Sequence, residues 1–456
     1  MNRTLALRRL ARHSQLPKQL VKVASVRASS GTAAESPQQA RHGHLPGVPS
    51  SAITTKMHFF DSVLESKSIP TYRVLDGSGV VIEGAEVPEI DKDFARRVYE
   101  NMMLLPALDT VLYNVQRQGK ISFYMTSYGE EASVVGSAAA LADTDEVLGQ
   151  YREMGVLLWR NFGIDRVMAQ CFGNEDDKST KGRQMPVHFS SPDHHFHTIS
   201  SPLATQIPQA AGVAYALKRD PTRRGKDVAV CYFGDGAASE GDFHAGLGMA
   251  SVLGGRVEAS IFICRNNGFA ISTPTTEQYA GDGIASRGPG YGMDTIRVDG
   301  NDVLAVLGAV REARRRALAG SDGGRAVLVE CMSYRVGHHS TSDDSFAYRA
   351  KQEVEDWKKI DNPHHRFRKF LESQGWWSHE EEEALKAKQK REVMEGFKKA
   401  EAMKRPPLTE LFTDMYEDGN SGEPWTLTEQ RAELKAYLDK YGKVWEPYVK
   451  ELPKFK

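Results

Sequence analysis

Cysteine is scarce in this 456-residue sequence: Cys171, Cys231, Cys264 and Cys331 lie far apart and form no Cys-x-x-Cys. That spacing argues against a disulfide framework or a zinc ribbon, and buried free thiols are expected, two of them inside apolar strand-like runs. Net charge is lacking as well. Lys and Arg total 59 against 60 for Asp and Glu, so no global field selects a polyanion; neither nucleic acid nor an anionic membrane is expected as a partner, and any anion site must be local. No uninterrupted apolar run approaches the roughly 18–20 residues that cross a bilayer, so no membrane insertion is expected. No internal repeat is visible.

Acids are missing from the first 34 residues, which hold Arg3, Arg8, Arg9, Arg12, Lys18, Lys22 and Arg27 among Ala, Ser and Leu. That is the composition of a mitochondrial presequence, and it implies the mitochondrial matrix as destination. Residues 35–56 are rich in Gly, Pro, Gln and Ser and begin a flexible arm drawn over 35–90. An α/β domain is expected over 91–375 and a helical extension over 376–456.

What the sequence has in quantity is apolar residues, 40% of the total, enough for a substantial core. Val228 to Phe233, Ala259 to Cys264 and Ala326 to Cys331 are near-continuous β-branched runs, as strands buried on both faces must be. Segments of crossover-helix length lie between them, Glu240 to Leu253 and Val303 to Ala319, and a helix is expected over Phe94 to Gln118. The pattern predicts a parallel sheet with helices on both faces. After Tyr348 the sequence reads as charged helices, Val354 to Ser373 and Glu380 to Lys404.

Ligands of such sheets bind beyond the carboxyl ends of the strands, and here the strands end in Gly234-Asp235-Gly236, in Arg265-Asn266-Asn267-Gly268, and in Ser333-Tyr334-Arg335 before Gly337-His338-His339. Asp235 lies just before a helix start, where backbone amides favour an anion. A carboxylate beside a phosphate is repulsive unless a hard divalent cation separates them, and magnesium prefers oxygen ligands. The Asn266-Asn267 pair can supply an amide oxygen, one helix and one strand later. Gly-Asp-Gly and Asn-Asn-Gly are each common turn sequences; their pairing across a strand–helix–strand unit is what points to a magnesium-diphosphate clamp. The Asp193-His194-His195-Phe196-His197 run lacks the second ligand group of a closed zinc site, and no zinc is expected there.

This spacing resembles the thiamine-diphosphate motif, and the chain from about Met57 onward is similar to the alpha subunits of branched-chain 2-oxo acid dehydrogenases. The most specific stretches are MTSYGEEA (125–132), GQYREMGVLLWRNF (149–162), TISSPLATQIPQAAG (198–212), GDGAASEGD (234–242), RNNGFAISTPT (265–275) and RVGHHSTSDDSFAYR (335–349). The resemblance implies the thiamine-diphosphate-binding fold with a C-terminal helical extension. It implies magnesium held by Asp235, the Asn267 side chain and the backbone carbonyl of Phe269, a position where the family tends to carry Tyr. Tyr151, Arg152, Arg265, His339 and the amides of Gly236 and Ala237 would hold the diphosphate, with Ser201 on the cofactor and Leu203 supporting its bent shape. Ser200, Pro202, Thr205 and Gln206 would bind potassium.

The implied activity is oxidative decarboxylation of branched-chain 2-oxo acids, with acyl transfer to a lipoyl group on an acyltransferase component. No side chain offers the electron sink this needs, and thiamine diphosphate does. The implied partners also include a beta subunit, in a heterotetramer of two alpha and two beta chains, and a regulatory kinase and phosphatase. His339 would touch the diphosphate and pass protons. Ser340, in a polar stretch that reads as mobile, would be the phosphorylated residue; a second phosphoserine of the family would fall at Ala350 and is absent. Two alternatives share the fold: the pyruvate-specific alpha subunit, and a non-catalytic regulatory subunit whose clamp would have degenerated.

Overall fold

The computed structural model describes residues 55–57, 68–252, 259–319, 325–416, 424–442 and 444. The expected presequence lies outside the described residues, as does most of the arm before Ser68. In chain order the elements are β1 (Thr71–Tyr72), α1 (Lys92–Arg117), α2 (Glu131–Ala139), β2 (Glu146–Leu148), α3 (Met154–Trp159), α4 (Ile164–Phe172), α5 (Gln206–Arg219), β3 (Ala229–Gly234), α6 (Gly241–Val252), β4 (Ser260–Asn266), β5 (Phe269–Ala270), β6 (Thr273–Pro274), α7 (Thr275–Gln278), β7 (Asp294–Asp299), α8 (Val303–Leu318), β8 (Ala326–Met332), α9 (Lys351–Ile360), α10 (Pro363–Ser373), α11 (His379–Ala402) and α12 (Trp425–Tyr441).

Six strands form one parallel sheet in the order β1-β7-β8-β4-β3-β2. Successive side chains of a strand point to opposite faces, and here both faces are apolar. Val230, Tyr232, Ile261, Ile263 and Val329 pack into a core shared with α1, α2 and α8. Cys231, Phe233, Phe262, Cys264 and Leu328 pack into a second core shared with α5 and α6. The three apolar runs are therefore the three central strands, and the parallel α/β architecture is the expected one. All four thiols are free and buried.

Two expectations are corrected. The arm drawn to residue 90 ends earlier, because β1 pairs with β7 and the Asp302 carboxylate fastens the segment after it. Oδ2 of Asp302 accepts from the amides of Val74 and Leu75 at 2.7 and 2.6 Å, while Oδ1 accepts from Leu304 and Ala305 and caps α8. The helix expected over Val354 to Ser373 is two helices, α9 and α10. Proline disfavours a helical residue before it and suits a first helical position; Pro363 opens α10, and Asn362 caps it by accepting from His365 N at 3.0 Å. A second proline, Pro106, sits inside α1. It has no N–H for the carbonyl of Met102 four residues back, and that carbonyl instead accepts from His364 Nε2 at 2.9 Å.

Candidate active site

The carboxyl ends of β3 and β4 lie side by side, Gly234 in register with Arg265, and β8 runs beside β4. Above them opens a cavity of about 440 Å³. Tyr151, Arg152, Ser201, Leu203, Asp235, Gly236, Ala237, Arg265, Asn267, Phe269 and His339 all line it. Residues separated by up to 188 positions in the sequence thus meet around one space. Gly236 is the tight point: a Cβ there would sit 2.7 Å from that of Ala270, so the backbone can reach the cavity only without a side chain.

Asp235 is 1% exposed, and its Oδ2 has no hydrogen-bond partner among the described residues. Burial, only partly offset by its own amide and aided by the nearby Glu130 charge, pushes its carboxyl up to about 6. A buried carboxylate oxygen with an unused lone pair is suited to a cation. Among the described residues no group of three or more His, Cys, Asp or Glu gathers to hold a metal. An ion at Asp235 would take its other ligands from amide and carbonyl oxygens, water and phosphate, the mixture magnesium accepts.

The two asparagines diverge. Asn267 lines the cavity; its Nδ2 donates to Glu130 Oε1 at 2.7 Å, which fixes the amide, and the opposite end, Oδ1, accepts from Phe269 N at 3.2 Å. Asn266 points away and donates to Tyr279 Oη and to Glu330 Oε1, both at 2.9 Å. Glu330 in turn accepts from the amides of Ile284 and Ala285 and from Arg297 Nε.

Arg152 and Arg265 are buried, not surface charges. Arg265 pairs with Glu130 and, at 2.5 Å, with Glu153 Oε1. Nη2 is thus engaged by the Glu153 charge, while Nε has no partner among the described residues. Burial pushes the Glu130 carboxyl up, but Arg265, Arg152 and the Asn267 amide outweigh it and hold the group below its usual range. Arg152 Nε donates to Thr126 O at 3.0 Å and its Nη2 to His339 O at 2.5 Å. The His339 ring is driven down to about 3 by burial and by the Arg152 and Arg335 guanidiniums. It is therefore neutral; both guanidiniums approach Nδ1, at 3.5 and 3.4 Å, which makes Nδ1 the acceptor and leaves the proton on Nε2.

Ser201 Oγ lies 2.8 Å from His188 Nε2, whose Nδ1 donates to Pro186 O at 3.1 Å, so the hydroxyl donates to the ring. Around the expected potassium loop, Thr205 Oγ1 meets Pro202 O at 3.2 Å and Gln206 Nε2 donates to Tyr232 O at 2.9 Å; Ser200 is half-buried nearby in sequence. Of the expected histidine cluster, His195 and His197 flank the Glu146 carboxylate at 3.0 Å each.

The stretch around Ser340 is packed, contrary to the mobile loop expected from its polarity. Ser340 is 7% exposed. Thr341 exchanges hydrogen bonds with the Tyr124 backbone at 3.0 and 3.1 Å, and Asp343 Oδ2 accepts from His339 N and Tyr348 Oη, both at 2.7 Å. Sequence reasoning also missed Glu130, Glu153, Gln150 and His188. Glu153 Oε2 accepts from the amides of Gln150 and Tyr151 at 2.8 Å, and Gln150 Oε1 accepts from Gly234 N at 2.9 Å. The available signal was a pair of glutamates in a Gly-rich turn before a small-residue helix.

A parallel sheet whose strand tips gather a bare carboxylate oxygen, an oriented amide and buried guanidiniums has the architecture of an α/β enzyme with a cofactor cavity at its strand tips. The model of the dehydrogenase E1 component family matches residues 99–409. The chain is 52% identical over 398 residues to the 2-oxoisovalerate dehydrogenase subunit alpha, mitochondrial, of Homo sapiens, covering 87% of this chain and 86% of that one. It is 50% identical over 390 residues to that of Caenorhabditis elegans (86% and 87% covered) and 49% over 394 residues to subunit alpha 1 of Arabidopsis thaliana (86% and 80%). The chain belongs to the dehydrogenase E1 component family, which depends on thiamine diphosphate.

Proposed function

We propose that the chain is the alpha subunit of a branched-chain 2-oxo acid dehydrogenase of the mitochondrial matrix, a thiamine-diphosphate enzyme working with a beta subunit. The observation that carries the reading is the buried, unpartnered oxygen of Asp235 in a cavity with Arg152 and Arg265. Asp235, the Asn267 amide oxygen and the Phe269 carbonyl would hold magnesium. The free Nε–H of Arg265, with Tyr151, Arg152, His339 and the Gly236 and Ala237 amides, suits a diphosphate. Ser201 and Leu203 would contact the rest of the cofactor, and Ser200, Pro202, Thr205 and Gln206 would hold potassium.

Thiamine diphosphate supplies, when bound, the electron sink that decarboxylation of a 2-oxo acid requires. The chain's own residues bind, orient and exclude water. Neutral His339 keeps an Nε2–H to donate while Arg152 and Arg335 fix its ring, and it would pass a proton during acyl transfer to the lipoyl group of the acyltransferase component. A regulatory kinase and phosphatase would act at Ser340. Phosphate there adds roughly −1.5 to −2 charges in a packed stretch beside Asp343, so it would expel the stretch and disturb the His339–Arg152 contacts. Ser340→Glu should depress the activity of the whole complex, and full activity in that variant would sink the switch.

The names of the relatives favour branched-chain over pyruvate substrates, and an intact set of clamp residues in one cavity speaks against a non-catalytic subunit. The test is carbon dioxide release by the reconstituted alpha–beta pair from 3-methyl-2-oxobutanoate and from pyruvate. Release should favour the branched acid and vanish without the beta chain. Asp235→Ala should lose magnesium and cofactor together in calorimetry; retained cofactor affinity would overturn the reading.

A further inference from the structure

A second, larger cavity of about 650 Å³ shares no lining residue with the cofactor cavity. It lies among α1, the start of α2, the segment after β8, α9 and α10. Its size falls in the range of roughly 300–1,000 Å³ found for small-molecule sites. Its construction is specific. The Tyr334 and Trp357 rings stack with centroids 4.9 Å apart and planes 6° from parallel, giving one flat apolar wall. The opposite wall comes from α1, where the proline at 106 and the His364 hydrogen bond to the Met102 carbonyl lock α1 to α10.

Glu382 accepts from Tyr99 Oη and Trp377 Nε1 and pairs with Lys386, and Asp361 pairs with Arg366. Glu131 is 2% exposed; burial raises its carboxyl to about 8, so it carries no charge at neutral pH. The carboxyls of the lining are thus paired or neutral. Three further groups bear on the cavity. Asn301 is 4% exposed and lines it. Arg368 makes long ion pairs of 3.5 Å with Glu372 and Glu382 and its Nη2 contacts His365 Nδ1 at 3.3 Å, while its buried Nε keeps no hydrogen-bond partner. Lys359, at the rim, makes no ion pair among the described residues.

We propose that this cavity is a second ligand site, for a small monocarboxylate with a flat or branched apolar body. The carboxylate would sit at Arg368 and Lys359, the body against the Tyr334–Trp357 stack, and the Asn301 amide would serve a further polar atom or the inner carboxylate oxygen. The buried Arg368 Nε–H, the Asn301 amide and the Lys359 ammonium around an apolar wall match an amphiphilic anion, and a cation would meet two positive charges. The proposal stands independently of the reading of the cofactor site.

The test uses the assembled alpha–beta protein saturated with thiamine diphosphate and magnesium, titrated calorimetrically with 3-phenylpropanoate and 4-methylpentanoate, which lack a keto group. Saturable binding of one molecule per alpha chain is expected, accompanied by a change in tryptophan fluorescence. Lys359→Glu and Asn301→Leu should each weaken it at least about tenfold, a difference of one decade in Kd. Lys359 is exposed, so its variant keeps the test readable even where Asn301→Leu fails to fold. Absence of saturable heat up to about 10 mM, weaker than the millimolar binding that bounds useful affinity, would overturn the proposal. So would binding that survives both cavity variants.

Discussion

Glu130 and Glu131 are consecutive and both buried, yet Glu130 braces Asn267 and Arg265 of the cofactor cavity while Glu131 lines the second one, and they reach opposite charge states. Burial pushes both carboxyls up. At Glu130 two guanidiniums and the Asn267 amide outweigh it, whereas Glu131 has two backbone N–H groups and no cation, and its carboxyl rises to about 8. The cofactor cavity is therefore backed by charges assembled in advance, with Glu130 and Glu153 around its lining Arg265, whereas Glu131 brings a neutral carboxyl to the second cavity. Depth does not decide the difference; the presence of a partner ion does.

The largest effect is expected from removing the shared cation. Arg265→Met leaves Glu130 and Glu153 buried without their guanidinium, at a cost of about 3–5 kcal/mol, and urea unfolding of the assembled protein should show the midpoint falling accordingly. Removing one anion is milder. Glu130→Gln keeps the shape but frees the Asn267 amide to turn and loosens Arg265, so thiamine diphosphate and magnesium affinity should drop about 10–100-fold, the range for a group that orients a metal ligand, with a smaller loss of stability. Calorimetry against cofactor measures it, and unchanged affinity would remove Glu130 from the positioning of Asn267.

The smallest effect belongs to Glu131→Gln. Below about pH 4.5 the carboxyl is protonated in the folded and the unfolded chain alike, so the exchange should alter stability there by less than about 1 kcal/mol. Its signature is in the pH profile. A carboxyl raised from 4.5 to about 8 holds a proton in the folded state that the unfolded chain releases, so its contribution favours folding at low pH and is lost as pH rises from about 5 to about 8. Asp109, also raised to about 8 by burial, slopes the same way in both proteins. The Gln variant should therefore show a shallower decline across that window, and parallel curves would mean that Glu131 is ionised, erasing the contrast.

The central sheet was legible because β3, β4 and β8 bury both faces, which leaves uninterrupted apolar runs. β7 was not, since Asp294, Arg297 and Asp299 break its pattern with charges whose partners lie elsewhere. β1 and β2 span two and three residues and carry no periodicity. At the site, Asp235 could be read from its place between two glycines at a strand tip. The different fates of Asn266 and Asn267 could not, because the last residues of a strand face opposite ways and only the end of β4 sets the phase. Glu130 meets Arg265 across 135 positions, a separation that no local pattern reports. The Ser340 stretch misled for a related reason: its hydroxyls read as solvated, while the Tyr124 backbone N–H that donates to the Thr341 hydroxyl lies 217 residues upstream.

The Asp302 carboxylate has a consequence for the order in which the chain can fold. The amides of Val74 and Leu75 close contacts over 228 and 227 residues, so the edge strand β1 cannot dock until the polypeptide has delivered α8. Such long-range closure costs chain entropy before any contact rewards it and is slow. A chain that emerges amino terminus first thus presents first the segment it can settle last, and that segment must wait, unpaired, for most of the domain to arrive.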